Sequence, residues 1–335
     1  MNQPEVTVLM TVYNGGVYLK SAIESILQQS YGDFELLVID DKSADNSVRQ
    51  VRSFADGRIR CVVNERNMGQ TRSLNKGLRL AQGRYIARMD ADDQAGPEWL
   101  REQMDFLRTC PECAVVSTGA AVIDEEGCLT KTLNTPRTQE DIILKSLVAS
   151  PINHVGAVMS RAAVLKMGGY DEDFKIAADY DLWSRLIRAH YKLACTAGTG
   201  VLIRHHRRSL SQVERRLETD FREVARIMRQ NIAVLTGRNL SEEETRLLWR
   251  WVYRPEALSW KEIGRGRRLV IGIYRHVKDG WRVSASRAQR MAKDLARVVR
   301  AKKLLALWPG LLSFYRRYTA GKARRVLRKK NVYVQ

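Results

Sequence analysis

The sequence predicts an α/β fold, a mostly parallel sheet with helices on both faces, followed by a basic and mainly helical region. Three observations predict it. Short apolar strands alternate with helical patterns from Val6 to Ala189. Two acidic clusters, Asp40-Asp41 and Asp90-Ala91-Asp92-Asp93, close two of those strands. Charge is divided unevenly: residues 1–210 hold 26 Lys/Arg against 26 Asp/Glu, and residues 211–335 hold 31 against 11. Alternation of this kind builds βαβ units, and ligands of such sheets sit at the carboxyl ends of the strands.

The elements follow in order. Residues 6–10 read as a buried strand, and residues 18–29 as a helix with Leu19, Ala22, Ile23, Ile26 and Leu27 on one face. A strand over 34–39 runs into Asp40-Asp41. Next come a helix over 47–54, a strand over 59–63, a helix over 71–81 closed by Gly83, and a strand over 85–89 that runs into Asp90. Beyond Pro97 a helix carries Trp99, Met104 and Leu107; residues 114–123 form a further strand and 177–189 a helix, while 130–153 has no clear period. From Ser211 the pattern becomes helical throughout, with capping-box signatures at Ser211–Glu214 and Ser241–Glu244. The expected domains are therefore residues 1–212 and 213–335.

A length of 335 residues with 44% hydrophobic content suffices for two domains and excludes a disordered chain. Five cysteines make no even disulfide framework, so a reducing compartment is expected. Cys110 and Cys113 form a C-x-x-C without the second pair or His that a zinc site needs. No signal peptide and no spanning segment of about 20 apolar residues is expected.

The cluster at Asp90, Asp92 and Asp93 carries the sharpest chemistry. Three carboxylates in four residues repel one another, and in a crevice a cation such as Mg²⁺ or Mn²⁺, bridging to phosphates, is the economical explanation. A carboxylate at Asp40-Asp41 can accept the imide N–H of uracil or thymine, or the N1/N2 donors of guanine, and offers nothing to the N3 acceptor of cytosine.

Several segments now stand together: Thr7-Val-Leu-Met-Thr-Val-Tyr-Asn14, the Asp40-Asp41 strand end, Asn67-Met-Gly-Gln70, Met89-Asp-Ala-Asp-Asp93, Gly168-Gly-Tyr-Asp171 and Ala178-Asp-Tyr-Asp-Leu-Trp183. In order and spacing this set resembles the family 2 glycosyltransferases, over about residues 4–210. The resemblance implies a GT-A fold, a nucleotide-diphospho-sugar donor, with UDP expected, a divalent Mg²⁺ or Mn²⁺ and inversion at the anomeric carbon. It implies that Thr11 and Tyr13 line the nucleotide pocket, that Asp41 bonds the base, that Asp90 lies near ribose and metal, that Asp92 ligates the metal, and that Asp179 is the general base. The family usually has Glu-Asp at that last position, and here the first residue is Ala178. His154, Arg204 and His206 are candidates for contacts to acceptor or diphosphate, as is the run through Arg207 and Arg208.

The basic end points to an anionic partner, either a membrane surface or nucleic acid. Between Ser284 and Trp308, Ala288, Met291, Leu295, Val298 and Leu305 recur at helical spacing among Arg and Lys, a pattern suited to lying on an anionic leaflet. The aromatic stretch 304–315 and the basic cluster 322–330 add to it. The expected setting is the inner face of a cytoplasmic membrane, with a glycan or lipid-linked acceptor. Two rivals remain. A nucleotidyltransferase also uses acidic metal sites, although residues 11–16 lack its Gly-rich basic loop. A nucleic-acid-binding protein would use the net charge of +20 and leave the acidic clusters unexplained.

Overall fold

A computed structural model describes residues 3–133, 135–206 and 218–307. Nine strands form one sheet: β1 (Val6–Val12), β2 (Phe34–Asp40), β3 (Ile59–Val63), β4 (Tyr85–Asp90), β5 (Gln94–Ala95), β6 (Cys113–Ile123), β7 (Leu129–Thr132), β8 (Val158–Ser160) and β9 (Lys192–Arg204). Their order is β3-β2-β1-β4-β8-β6-β9-β5, with β7 beside β6. The pairs β1/β2, β1/β4, β2/β3 and β6/β9 are parallel, and β8 runs antiparallel between β4 and β6. Every residue of β1 and β2 is buried. Strands covered on both faces are continuous apolar runs for this reason.

The connecting helices are α1 (Leu19–Leu27), α2 (Ser47–Arg52), α3 (Gln70–Leu80), α4 (Trp99–Thr109), α5 (Gln139–Ser146), α6 (Arg161–Lys166) and α7 (Ala178–Arg188). Val6, Val8 and Met10 pack under α1 and α4 on one face of the sheet. Leu9, Leu37 and Ile39 face α3, α5 and α7 on the other. The stretch without a clear period, 130–153, contains β7 and α5. Only Leu129 of β7 is buried, and α5 buries Ile142, Ile143 and Leu144 in succession, so neither shows the alternation or the 3.6-residue period that marks an element. Strand β9 was equally illegible, because small and polar residues fill much of it. Cys110 and Cys113 are joined as a disulfide across the turn into β6, a pairing the C-x-x-C reading did not foresee.

Among the described residues four α-helices follow: α8 (Glu218–Thr236), α9 (Glu242–Tyr253), α10 (Trp260–Arg275) and α11 (Ala285–Leu307). Helix α8 ends at Gly237, whose φ of 74° is the left-handed geometry glycine adopts without strain. Capping boxes at Ser241/Glu244 and Ser259/Glu262 open α9 and α10. The signature at Ser211–Glu214, the boundary at 212/213, Arg207, Arg208, and the stretch 308–335 with its basic cluster lie outside the described residues. Val224, Ile227 and Met228 of α8 share one apolar core with Leu182, Trp183 and Leu186 of α7.

The helix expected to lie on lipid is reassigned by this packing. Ala288, Ala292, Ala296 and Val299 of α11 are buried in the same core, with Met291 and Leu295 half-buried against it. Val298 is left 51% exposed. Arg287 Nε donates to Asp141 Oδ1 of α5 at 2.6 Å, so the apolar side of α11 meets protein. Burial pushes the Asp141 carboxyl up, but hydrogen bonds and charge from Arg287 outweigh this and hold it below the ordinary carboxylate range. Among the described residues no helix is long and apolar enough to cross a membrane.

Candidate active site

The carboxyl ends of β1, β2, β4 and β9 converge on one edge of the sheet. At the end of β1, Thr11 is buried beside Asp90 in the parallel register, and Tyr13 projects 55% exposed. The loop carrying Tyr13 is tied to the loop after β2: Asn14 N–H donates to Ser43 Oγ and Gly15 N–H to Ser47 Oγ, both at 2.9 Å, and Ala44 N–H donates to Asn14 Oδ1 at 2.8 Å. An exposed aromatic ring on a tethered loop offers a face for stacking a planar ligand.

Asp41, expected to bond a base, has a different observed task. It is 3% exposed. Its Oδ1 accepts from Asn64 Nδ2 and Met68 N–H, and its Oδ2 accepts from Gly69 N–H, each at 2.8 Å. Gly69 adopts a φ of 86°, where a side chain would be strained, and caps α3. Asp41 thus fixes the Asn67–Gln70 turn, and Gln70 Nε2 then donates to Asp90 Oδ1 at 3.2 Å.

Beneath the acidic cluster lies Arg88, a guanidinium with no exposed surface that pairs with Asp90 and donates to the Met89 carbonyl. Asp92 Oδ2 and His206 Nε2 lie 2.8 Å apart. Burial and the charge of Asp90 push the Asp92 carboxyl up, against the pull of His206. Asp93 is pushed well above the ordinary range by burial and by Asp92 and Asp90; its Oδ1 accepts from Arg204 N–H at 2.7 Å. Three carboxylates within four residues, two half-buried and one buried, are chemistry suited to a cation. Among the described residues, no three His, Cys, Asp or Glu side chains form a closed metal site. Among the described residues Asp92 and His206 meet, and a carboxylate beside an imidazole is a donor set able to hold a divalent cation that also binds substrate phosphates.

Two candidates for ligand contact already have protein partners in the structure. Arg204 is buried, and its guanidinium donates to the backbone carbonyls of Asp92, Asp124 and Glu125 while lying 4.6 Å from the Tyr18 ring centre. It ties the turns after β4 and β6 to the end of β9. His154 packs edge-on to Tyr170 and Trp183, with Nε2 2.8 Å from the Tyr170 hydroxyl. Burial and the nearby Arg88 charge push its pKa well below that of free histidine, which favours the neutral ring.

Asp179 stands in the first turn of α7, where Ser150 Oγ donates to its Oδ2 at 3.1 Å. Burial raises its pKa above the ordinary carboxylate value, opposed by the Tyr180 N–H, Ser150 and the Arg88 charge. Arg88 pairs with Asp90, and its charge also favours the ionised form of Asp179. Sequence reasoning missed Arg88. A charged residue inside an otherwise apolar strand was the available signal, since Arg is almost never fully buried without a partner. Ser150 carried no such signal, because only folding brings it to Asp179.

The family model described as Glycosyl transferase family 2 matches residues 7–168. EpsE of Bacillus subtilis, named as a glycosyltransferase, is 35% identical over 195 residues, covering 56% of this chain and 69% of that protein. Among solved structures, S. aureus TarS 1–349 in complex with UDP-GlcNAc aligns with a TM-score of 0.57 at 15% identity, covering 88% of this chain and 90% of that one. The mannosyltransferase PcManGT from Pyrobaculum calidifontis in complex with GDP-Man and Mn²⁺ aligns with a TM-score of 0.51 at 16% identity, covering 90% and 88%. At these identities the structural likeness establishes the fold, which is that of the GT-A glycosyltransferases.

Proposed function

Because the chain belongs to glycosyl transferase family 2 and is a glycosyltransferase, we propose that it moves a sugar from a UDP-sugar to a hydroxyl of a glycan or lipid-linked acceptor, with inversion. The observation that carries this reading is the acidic edge of the sheet, where Asp92 meets His206 and Asp90 pairs with Arg88, together with the half-buried Asp179 in the first turn of α7. The complexes of TarS with UDP-GlcNAc and of PcManGT with GDP-Man and Mn²⁺ support a nucleotide-sugar donor and a divalent cation.

Tyr13 would stack on the base, while Asp41 shapes that pocket by holding the Asn67–Gln70 turn. Thr11 and Asp90 line the ribose side. Asp92 and His206 would hold Mg²⁺ or Mn²⁺, which when bound neutralises charge on the departing diphosphate. The acceptor oxygen attacks the anomeric carbon from the face opposite the diphosphate as the bond from that carbon to the phosphate oxygen breaks. Asp179 receives the acceptor proton, and its raised pKa brings it nearer the operating pH, where a general base is most effective.

The test is a screen of UDP-glucose, UDP-galactose, UDP-N-acetylglucosamine and GDP-mannose for nucleoside diphosphate release with Mg²⁺ or Mn²⁺. Release from a UDP-sugar that excess chelator abolishes is expected. No release from any donor would refute the reading.

The exposed side of α11, with Arg290, Lys293, Arg297 and Arg300, supports attachment to an anionic membrane surface. Flotation with anionic vesicles should weaken as salt rises, because screening shortens the reach of exposed charge to about 8 Å at physiological ionic strength. Equal flotation with neutral vesicles would count against it.

A further inference from the structure

One carboxylate of the helical region reaches the turn that carries the proposed base. Glu223 of α8 lies outside the family-matched residues and is buried. Its Oε1 accepts from Lys175 N–H, and its Oε2 accepts from Ile176 N–H and Ala177 N–H, all at 2.9 Å. These three residues lead into α7, where Ala177 occupies the N-cap position and has no side chain able to cap. A helix start leaves backbone N–H groups without intrahelical partners, and a carboxylate there forms charge-assisted bonds favoured by the helix dipole. Here that carboxylate comes from 46 residues away, as measured from Ala177.

The same segment is gripped from the other side by α3. Thr71 Oγ1 donates to the Phe174 carbonyl at 2.9 Å, and Asn75 Nδ2 donates to the Tyr170 carbonyl at 2.8 Å. Arg226, one turn beyond Glu223 on α8, lies 5.1 Å from the Phe174 ring centre. The approach to α7 is therefore held between the family-matched fold and the helical region, and Asp179 follows Ala177 by two residues.

We infer that Glu223 is a positioning residue for Asp179: by holding the N–H groups of 175–177 it sets where α7 begins and where the base carboxylate points. This rests on the glycosyl-transfer reading above. It gives the helical region a part in the chemistry, since the base is aimed by a group from α8. A misplacement of about 1 Å can cost about 10²-fold in rate. Glutamine at 223 keeps the volume but replaces one acceptor oxygen with an N–H₂ that opposes the N–H groups it faces. Aspartate keeps the charge and withdraws it by one methylene.

The experiment is a double-mutant cycle with Glu223→Gln and Asp179→Asn, read as nucleoside diphosphate release from the donor selected by the screen, with water as acceptor. Affinity for UDP in Mn²⁺ and thermal unfolding are measured alongside. Glu223→Gln should lower kcat by about 10- to 100-fold with KM for the donor within about twofold, and Glu223→Asp should lie between it and wild type. Added to Asp179→Asn, Glu223→Gln should cost less than about twofold more, because the group it aims is already gone. Full additivity, an unchanged kcat, or collapse of UDP binding and folding in both Glu223 variants would overturn the inference, the last by making Glu223 a stability residue. No release by wild type from any donor would instead overturn the transfer reading and take this assignment with it.

Discussion

Asp179→Asn should lower sugar transfer by at least about 10²-fold while leaving UDP affinity in Mn²⁺ within about twofold, because the amide keeps the shape of the carboxylate and loses only the proton acceptor. The Ser150 hydroxyl can still donate to the remaining oxygen, so the turn stays formed. The pH profile gives a second signature. Burial raises the Asp179 pKa above its ordinary 3.8, so the ionised base, and with it kcat, is lost as pH falls through that raised value. The acid limb of the wild type should therefore lie above the ordinary aspartate value and be absent from the variant's residual rate.

Stability runs the other way. An acid whose pKa is raised on folding binds more protons in the native state, so its ionised form costs stability at pH above that raised value. The Asn variant should unfold at a temperature no lower than wild type at neutral pH. If donor binding and thermal stability both collapse, Asp179 serves as a structural cap of α7 and the general-base assignment fails.

Asp92→Ala should remove about 10³-fold or more of the transfer rate, several kcal/mol of transition-state stabilisation at about 1.36 kcal/mol per tenfold. The fold should survive, because Asp92 is pressed by Asp90 and Asp93 and its removal relieves that repulsion. His206 would keep its ring contact with Tyr18, 5.1 Å between centres, and lose its carboxylate partner. The direct measurement is Mn²⁺-dependent UDP binding by calorimetry, where at least a tenfold weakening is expected, matching about 1.4 kcal/mol. Full turnover by the variant, or by wild type in excess chelator, would remove the metal role from Asp92.

The helical region shows how a correct local reading can be given the wrong partner. The spacing of Ala288, Met291 and Leu295 does mark an amphipathic helix, and α11 is one. Periodicity states that a face will be buried and is silent about what buries it. Lipid and a neighbouring helix both satisfy the same stripe, and the choice was made by α5, far away in sequence, and by α10, the α-helix just before α11. Deleting α11 would accordingly expose the core that α7 and α8 share with it.

What the sequence by itself determined about this protein was whatever depends on neighbours along the chain. The βαβ alternation, the strand ends at Asp40 and Asp90, the capping box at Ser241 and the ordered motifs from Thr7 to Trp183 are local patterns, and each could be read from a few adjacent residues. Tertiary structure alone decided the partners. Asp41 was legible as a carboxylate at a strand end, but its commitment to Met68 and Gly69 depends on how the turn before α3 folds back. His154 and Arg204 looked like cations available to a diphosphate, and burial favours the neutral ring of one and makes the other a clamp on backbone carbonyls. Ser150 reaches Asp179, and Glu223 reaches Ala177, only after sheet and helices have packed. The reason is common to all of these: a side chain's charge, reach and hydrogen-bond partners are set by burial and by long-range contacts, which sequence spacing does not encode.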